Sequence, residues 1–350
     1  FVDPRLDGGR LNRRASAELV EVVHIGGREL LRYKPFPVNV ALIRGSQADA
    51  TGNVSLQQEP ANLDIYAIAL AAHNSGGKVI VQVREAVETG SIPARHVRVP
   101  GAIVDAVVVD PDQSMTYDIK YDPSLSGERR APVPPEVPQP FGVRQAIARR
   151  AAEELAEGAV VNYGFGIPDA VAKLVAARGE IDRYYQTIEH GTYGGHLLDG
   201  MLFGFARNPT AMIDAPSQFD FYSGGGLDIA FLGFGEVDAA GNVNVSKLGG
   251  VPVGPGGFID IAQNARKVVF CGTFDTKGTE IATGDGAMRI ARQGEVRKFV
   301  AKVEQITFAG RVAMERGQTV LYVTERALFR LTAQGMVLAE IAPGIDLRRD

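Results

Sequence analysis

The chain has 350 residues, 45% of them hydrophobic and 22% charged, with a net charge of -4 at pH 7. That composition belongs to a folded globular protein of one large or two ordinary domains. It excludes a basic face for nucleic acid and a polybasic membrane anchor, and no apolar run approaches the ~20 residues needed to cross a bilayer.

A single cysteine, Cys271, cannot form an intrachain disulfide and fits a reducing cytoplasm. It sits in the apolar run Val268-Val269-Phe270-Cys271-Gly272, where buried filler is the expected role rather than a nucleophile or ligand. The chain opens on Phe1-Val2-Asp3-Pro4 without an initiating Met or a signal-peptide pattern, and stops at Asp350. An excised piece of a longer protein is expected.

Val38–Ile43 reads as a buried strand, followed by the polar turn Asp49-Ala50-Thr51-Gly52-Asn53. Residues 61–74 place Leu63, Tyr66, Ala67, Leu70 and Ala71 at helical spacing, and Ser75-Gly76-Gly77 stops that helix. Val79–Val83 and Ala102–Val109 are the next strands. This strand–helix–strand rhythm predicts βαβ units and a largely parallel sheet.

The run 131–140 carries five prolines, too many to join a helix or a sheet, and reads as a stiff spacer between two halves. A helix over 143–157 follows, with Val143, Ile147, Ala151 and Leu155 stacked four apart. The domain organisation expected is 1–127, a linker at 128–140, and 141–350.

The second half repeats the first. Ala41-Leu42-Ile43 with Asp49-Ala50-Thr51-Gly52-Asn53-Val54 recurs as Ala230-Phe231-Leu232 with Asp238-Ala239-Ala240-Gly241-Asn242-Val243. Ala72-His73-Asn74 before Lys78-Val79-Ile80 recurs as Ala262-Gln263-Asn264 before Lys267-Val268-Val269. Two similar α/β units are therefore expected, and the Asp-x-x-Gly-Asn element reads as a turn cap rather than a ligand contact.

Four glycine-bearing stretches could carry chemistry. Tyr184–Ile188 reads as a strand that delivers Glu189 into the turn His190-Gly191-Thr192-Tyr193-Gly194-Gly195, where a carboxylate would face the ligand edge of an open sheet. Val160–Asp169 is strand, glycine turn (Gly164, Gly166) and helix. It mimics a dinucleotide fingerprint, but Asp169 stands where the third glycine belongs, which counts against NAD. Gly224-Gly225-Gly226 and the loop through Gly254, Gly256 and Gly257 complete the set, each with uncovered N–H groups suited to a developing oxyanion. His190 and His196 show no metal-ligand spacing; His190, beside Glu189, either tunes the pKa of that carboxylate or faces solvent, and solvent is the expected surrounding. Tyr193, Leu197, Met201 and Phe203 are expected to pack in the core rather than line a pocket.

The motif Glu-x-Gly-x-x-Gly-Gly at 189–195 resembles the catalytic motif of family I coenzyme A transferases. Phe219-Asp220-Phe221-Tyr222-x-Gly-Gly-Gly-Leu227-Asp228, Gly241–Lys247 and Gly256-Gly257-Phe258-Ile259 resemble the same family, as do Tyr33–Pro37 and Val40–Gly45. The likeness is nearer the acetate/propionate branch, in which both halves are fused. It implies two pseudo-repeated, mostly parallel α/β domains, the first one incomplete, since family members begin upstream of Phe1 and contribute a side-chain amide from that part. His190 departs from the small or amide residues more usual at its place.

The resemblance also implies a reaction. Glu189 would be the nucleophile, transferring coenzyme A from a short-chain acyl-CoA to a free carboxylate such as acetate, ping-pong, through a glutamyl-CoA thioester. Backbone donors near Gly256 and Gly257 would hold the oxyanion, one such donor being worth about 3–4 kcal/mol. Gly164, Gly166, Gly224, Gly225, Gly226 and Gly254 are the candidate contacts to coenzyme A. No metal and no permanently bound cofactor is expected; acyl-CoA and small carboxylic acids are substrates, and the enzyme is expected to be a cytoplasmic homo-oligomer. An acyl-carrier transferase subunit of a lyase or decarboxylase, and a non-catalytic effector-binding module of the same fold, are the alternatives. A nicotinamide-dependent dehydrogenase ranks last.

Overall fold

The computed structural model describes residues 3–349 apart from 7, 9, 11, 13 and 138. Phe1 and Val2 of the opening run, Pro138 of the proline-rich run and the final Asp350 thus lie outside the described residues.

The alternating first-half segments build a five-stranded sheet from β1 (Val40–Asp49), β2 (Val54–Ser55), β3 (Lys78–Val87), β4 (Val97–Val99) and β5 (Ala106–Val109). Their order is β4-β2-β1-β3-β5, with β1, β3 and β5 parallel. Helix α1 (Ile65–Asn74) covers one face, packing Ile65, Ala69 and Ala72 on Ala41, Ile43, Val79 and Val81. This face differs from the one expected from Leu63, Tyr66, Ala67, Leu70 and Ala71. The segment is apolar all round, so its spacing does not select a face, and the small side chains of Ala69 and Ala72 let helix and sheet approach closely. Leu63 instead sits before the helix at φ 53°, and its carbonyl accepts the N–H of Ala215 from the second half.

Two further expectations shorten. The strand expected over 102–109 begins only at Ala106, because Gly101–Ile103 forms a 3-10 turn and Asp105 turns its carboxylate to Lys78 and the N–H of Val79. The helix expected to reach residue 157, α2 (Val143–Ala152), ends five residues early. There Glu154 swings into ion pairs with Arg150 and Lys267.

Nine strands form the second sheet: β6 (Val160–Tyr163), β7 (Tyr185–Ile188), β8 (Thr192–Tyr193), β9 (Ala211–Met212), β10 (Ile229–Leu232), β11 (Lys267–Cys271), β12 (Thr319–Val323), β13 (Ala327–Thr332) and β14 (Gly335–Ile341). The order is β9-β8-β7-β6-β10-β11-β12-β13-β14, and the five strands from β7 to β12 run parallel. Strand β10 shows why both faces must be covered. Its four residues are all buried, Ile229 and Phe231 in a core with α2 and α3 (Asp169–Ala177). Ala230 and Leu232 point the other way, into a core shared by α4 (Ala215–Ser223), α5 (Phe258–Asn264) and α6 (Gly310–Glu315). Continuous apolar strands between two helical layers are the signature of a doubly wound parallel sheet.

The connection sequence sets the ligand edge. From β6 the chain moves outward to β7 on one side, then returns to β10 on the other side and continues to β11 and β12. The carboxyl ends of β6 and β10 therefore flank a crevice at the point where the winding reverses, which is where ligands bind in sheets of this kind.

The repeated turn is a matched pair of caps. In the first copy Asp49 takes the backbone N–H groups of Thr51 and Asn53 and the Asn53 amide, while Asn53 Oδ1 takes Gly101 N–H. In the second, Asp238 takes Ala240, Asn242 and the Asn242 amide, while Asn242 Oδ1 takes Gly310 N–H. Gly52 and Gly241 sit at φ 84° and 77°, so the glycine is required in both. After the first unit, residues 122–131 lie on the second: Arg207 pairs with Asp122 at 3.1 Å, and the Asn208 side chain both donates to and accepts from the Ala131 backbone.

Because four donors converge on the buried Asp238, the Val303 N–H being the fourth, Asp238→Ala should cost about 1–3 kcal/mol of unfolding free energy, measured by urea denaturation.

Candidate active site

Strand β7 is short and almost fully buried, so its last residue, Ile188, fixes where the chain emerges at the carboxyl edge. Glu189 is the next residue. A tight turn follows, in which Gly191 N–H donates to Ile188 carbonyl oxygen at 2.9 Å and Ile213 N–H donates to Gly191 at 2.8 Å. Gly191 takes φ 95°, and a Cβ there would lie 2.2 Å from the Ile213 carbonyl oxygen, so only glycine fits. A polar ladder braces the strand from behind: Tyr222 hydroxyl donates to Thr187 Oγ1 (2.8 Å), Thr187 Oγ1 donates to Val161 carbonyl (2.9 Å), and the Asn162 amide donates to Thr187 carbonyl (3.3 Å).

Glu189 opens into a cavity of ≈510 Å³ at the winding reversal. Its floor is the ends of β6 and β10, from Asn162 to Phe165 and at Leu232 and Gly233. Its walls are His190, Phe203 and Gly204 on one side and Gly254–Phe258 with Val245 and Ile261 on the other. The carboxylate is pressed onto backbone: a Cβ at Gly257 would stand 2.2 Å from Glu189 Oε2 and 2.8 Å from the Phe219 ring. The loop that carries Gly257 is held from below, where Val253 and Gly254 donate to the carbonyl of the fully buried Ser246, and Ser246 Oγ meets Thr307 Oγ1 at 2.7 Å. Among the described residues no protein donor reaches the Glu189 carboxylate, so burial raises its pKa above the ordinary glutamate range, with the nearby His190 pulling it back in part.

The glycines picked out in the sequence divide by location. Gly164, Gly254, Gly256 and Gly257 line this cavity with Glu189. Gly166 lies just outside it, with its carbonyl taken by Arg144, which also pairs with Asp169. Gly224, Gly225 and Gly226 are at the opposite edge of the sheet, because they precede β10, where Asp228 N–H donates to Val160 carbonyl at the start of β6. There Gly224 closes α4 and Gly226 leaves room for the Phe221 ring, so a coenzyme A contact at this triplet is not what the structure provides.

His190 is not a solvent group. Its ring is half-buried, Nδ1 lies 3.1 Å from the Gly204 carbonyl oxygen, and Gly204 has no side chain to obstruct it. Of the four residues expected in the core, Phe203 lines the cavity instead and packs its ring against Phe165 at 5.2 Å. Tyr193 and Leu197 are half-buried away from the cavity, and Met201 is exposed. Asn162, Phe165 and Gly204 are cavity residues that sequence pattern alone does not single out; only Asn162 and Phe165, flanking the Tyr163-Gly164 turn, carry a positional hint. Cys271 is sealed in the core and burial pushes its thiol pKa up. Among the described residues no three His, Cys, Asp or Glu side chains gather as a metal site, and no helix is long and apolar enough to cross a membrane.

Residues 2–110 of the chain match the Coenzyme A transferase family. The caffeate CoA-transferase of Acetobacterium woodii is 44% identical over all of this chain, corresponding to 68% of that protein. The acetate CoA-transferase YdiF of Escherichia coli O157:H7 is 42% identical over all of this chain and 66% of its own length. The crystal structure of the acyl-CoA transferase (YdiF) apoenzyme from that organism superimposes with a TM-score of 0.93 at 41% identity, covering all of this chain and 66% of that one. A thioester complex of the same E. coli protein with CoA superimposes at 0.92. The chain thus spans about two thirds of the length of these relatives.

Burial of Glu189 has a thermodynamic sign that can be checked without any substrate. A carboxyl whose folded pKa lies above its unfolded value binds its proton more tightly in the folded state, so its ionised form lowers stability at neutral pH. Glu189→Gln should therefore raise Tm by about 1–3 °C at pH 7. The gap should close as the pH falls through the range where Glu189 takes up its proton, both read by differential scanning calorimetry.

Proposed function

This chain belongs to the coenzyme A transferase family, and we propose that it transfers coenzyme A between an acyl-CoA and a free carboxylic acid, with Glu189 as nucleophile. The observation that carries this reading is the placement of the Glu189 carboxylate, half withdrawn from water and lodged against the Gly257 backbone in the cavity at the winding reversal. A carboxylate needs no neighbouring base to attack at neutral pH, and its raised pKa makes it a better nucleophile than an exposed glutamate. The caffeate and acetate transferases named above, and the CoA thioester complex among the superimposed structures, support it from the side of the relatives.

In the first half-reaction a Glu189 oxygen attacks the thioester carbonyl carbon. The C–S bond breaks, coenzyme A leaves as thiolate, and a mixed anhydride forms. The thiolate then attacks the glutamyl carbonyl carbon, the anhydride C–O bond breaks, and the first acid departs as a carboxylate, leaving a glutamyl-CoA thioester. An incoming carboxylate reverses these steps, so turnover is ping-pong. Each addition places negative charge on a carbonyl oxygen beside the Gly256–Gly257 loop, whose N–H groups we assign as oxyanion donors. Coenzyme A is a substrate here and no resident cofactor has a role. Short-chain acids such as acetate or propionate are the proposed acceptors, and a homo-oligomer in the cytoplasm is the proposed setting.

Incubation with acetyl-CoA should add coenzyme A to the peptide that contains Glu189, detected by mass spectrometry, and Glu189→Gln should abolish the adduct and lower turnover at least about 10³-fold. A Glu189→Gln protein with full turnover would sink the reading. Gly257→Ala, whose methyl must displace the carboxylate, should lower turnover about 10²-fold. The acid limb of kcat/KM should lie above the ordinary glutamate range, since only ionised Glu189 attacks.

A further inference from the structure

Resting on that reading, we propose that His190 Nε2 is the group that holds the free carboxylate as it enters and leaves, making His190 the acid-binding residue of the site. Three observations place it there. The ring forms part of the wall of the Glu189 cavity. It is the residue directly after Glu189, and the two side chains line the same cavity. Its Nδ1 is committed to the Gly204 carbonyl oxygen at 3.1 Å, which fixes the ring plane, while Nε2 meets no protein hydrogen-bond partner among the described residues.

The charge sequence of the reaction gives this placement its purpose. In the free enzyme Glu189 is an anion beside the imidazole. Once Glu189 is a thioester that charge is gone, and the next species to arrive is another carboxylate, which must come within bonding distance of the Glu189 carbonyl carbon. With Nδ1–H donating to Gly204, the remaining ring nitrogen is the atom left to meet a carboxylate in this cavity, and an N–H there would be its donor. One imidazole therefore faces one negative charge in each half of the cycle: first the glutamate, then the substrate acid. Phe165 and Phe203, in edge contact beside it, leave an apolar surface for the acid's hydrocarbon part.

The two ring nitrogens can be separated by substitution. The asparagine amide can reach the Nδ1 position and keep the bond to Gly204 but offers nothing at Nε2; the glutamine amide reaches the Nε2 position and gives up Gly204. Steady-state kinetics on His190→Asn and His190→Gln should show KM for acetate rising about tenfold or more in the Asn variant and about threefold or less in the Gln variant. KM for acetyl-CoA should move less than twofold in both. If His190 serves only to brace the turn through Gly204, the order inverts, with the Asn variant close to wild type, and the proposal is overturned; equal losses in both KM values overturn it as well. A wild-type protein that forms no Glu189–CoA adduct removes the transferase reading and this proposal together. A normal adduct with unchanged acetate KM in the Asn variant removes this proposal alone.

Discussion

A carboxylate half withdrawn from water, with no protein donor to satisfy it, is costly to hold in place, and the surroundings of Glu189 are organised to hold it there. Burial acts against the charge, and only the neighbouring imidazole acts for it. The fold compensates by making the position inescapable. Strand β7 is buried up to Ile188, the Gly191 turn closes immediately after, and the Asn162–Thr187–Tyr222 ladder stiffens the strand from behind. On the far side the Gly257 backbone leaves no room for retreat. A group so placed retains reactivity that solvation would otherwise quench, and restrained groups of this kind mark functional sites more often than structural ones.

The large-scale frame for this local strain is the order of connections in the nine-stranded sheet. Because β7 and β10 flank β6 on opposite sides, the chain winds away from β6 in opposite directions, and the crevice at the carboxyl ends of β6 and β10 is set by topology rather than by any side-chain choice. Loops from both sides then converge on it. The first unit reaches the same neighbourhood through Leu63, whose carbonyl caps the start of α4, the helix that presents Phe219 to Gly257. The two matched Asp–Asn turns belong to the scaffold and keep equivalent corners of the two units in shape.

How much of this could be read from the residues depends on whether the deciding factor was local. The Glu189 turn was legible because packing alone rarely calls for an apolar strand that ends in a carboxylate and runs straight into three glycines. The Asp–Asn turn was legible as structure because its side chains bond only within a few residues. The glycine loops were not separable, since Gly224–Gly226 and Gly254–Gly257 look alike in sequence and differ only in the sheet edge they occupy, a property of topology. The buried face of α1 was misread because a helix apolar on every side leaves the choice to its partner sheet. His190 was misread for a similar reason: the Gly204 carbonyl that orients it lies 14 residues away, and the notch it fills is an absent side chain.

The placement of Cys271 has a further consequence for the thioester chemistry proposed for Glu189. Any accessible thiolate near such substrates would compete by thioester exchange, drawing off acyl groups. Here the chain's single sulfhydryl is walled into the middle of the sheet on β11, where ionisation is suppressed and no reagent can reach it. In the native fold Cys271 should therefore be silent to thiol-directed dyes until the sheet comes apart.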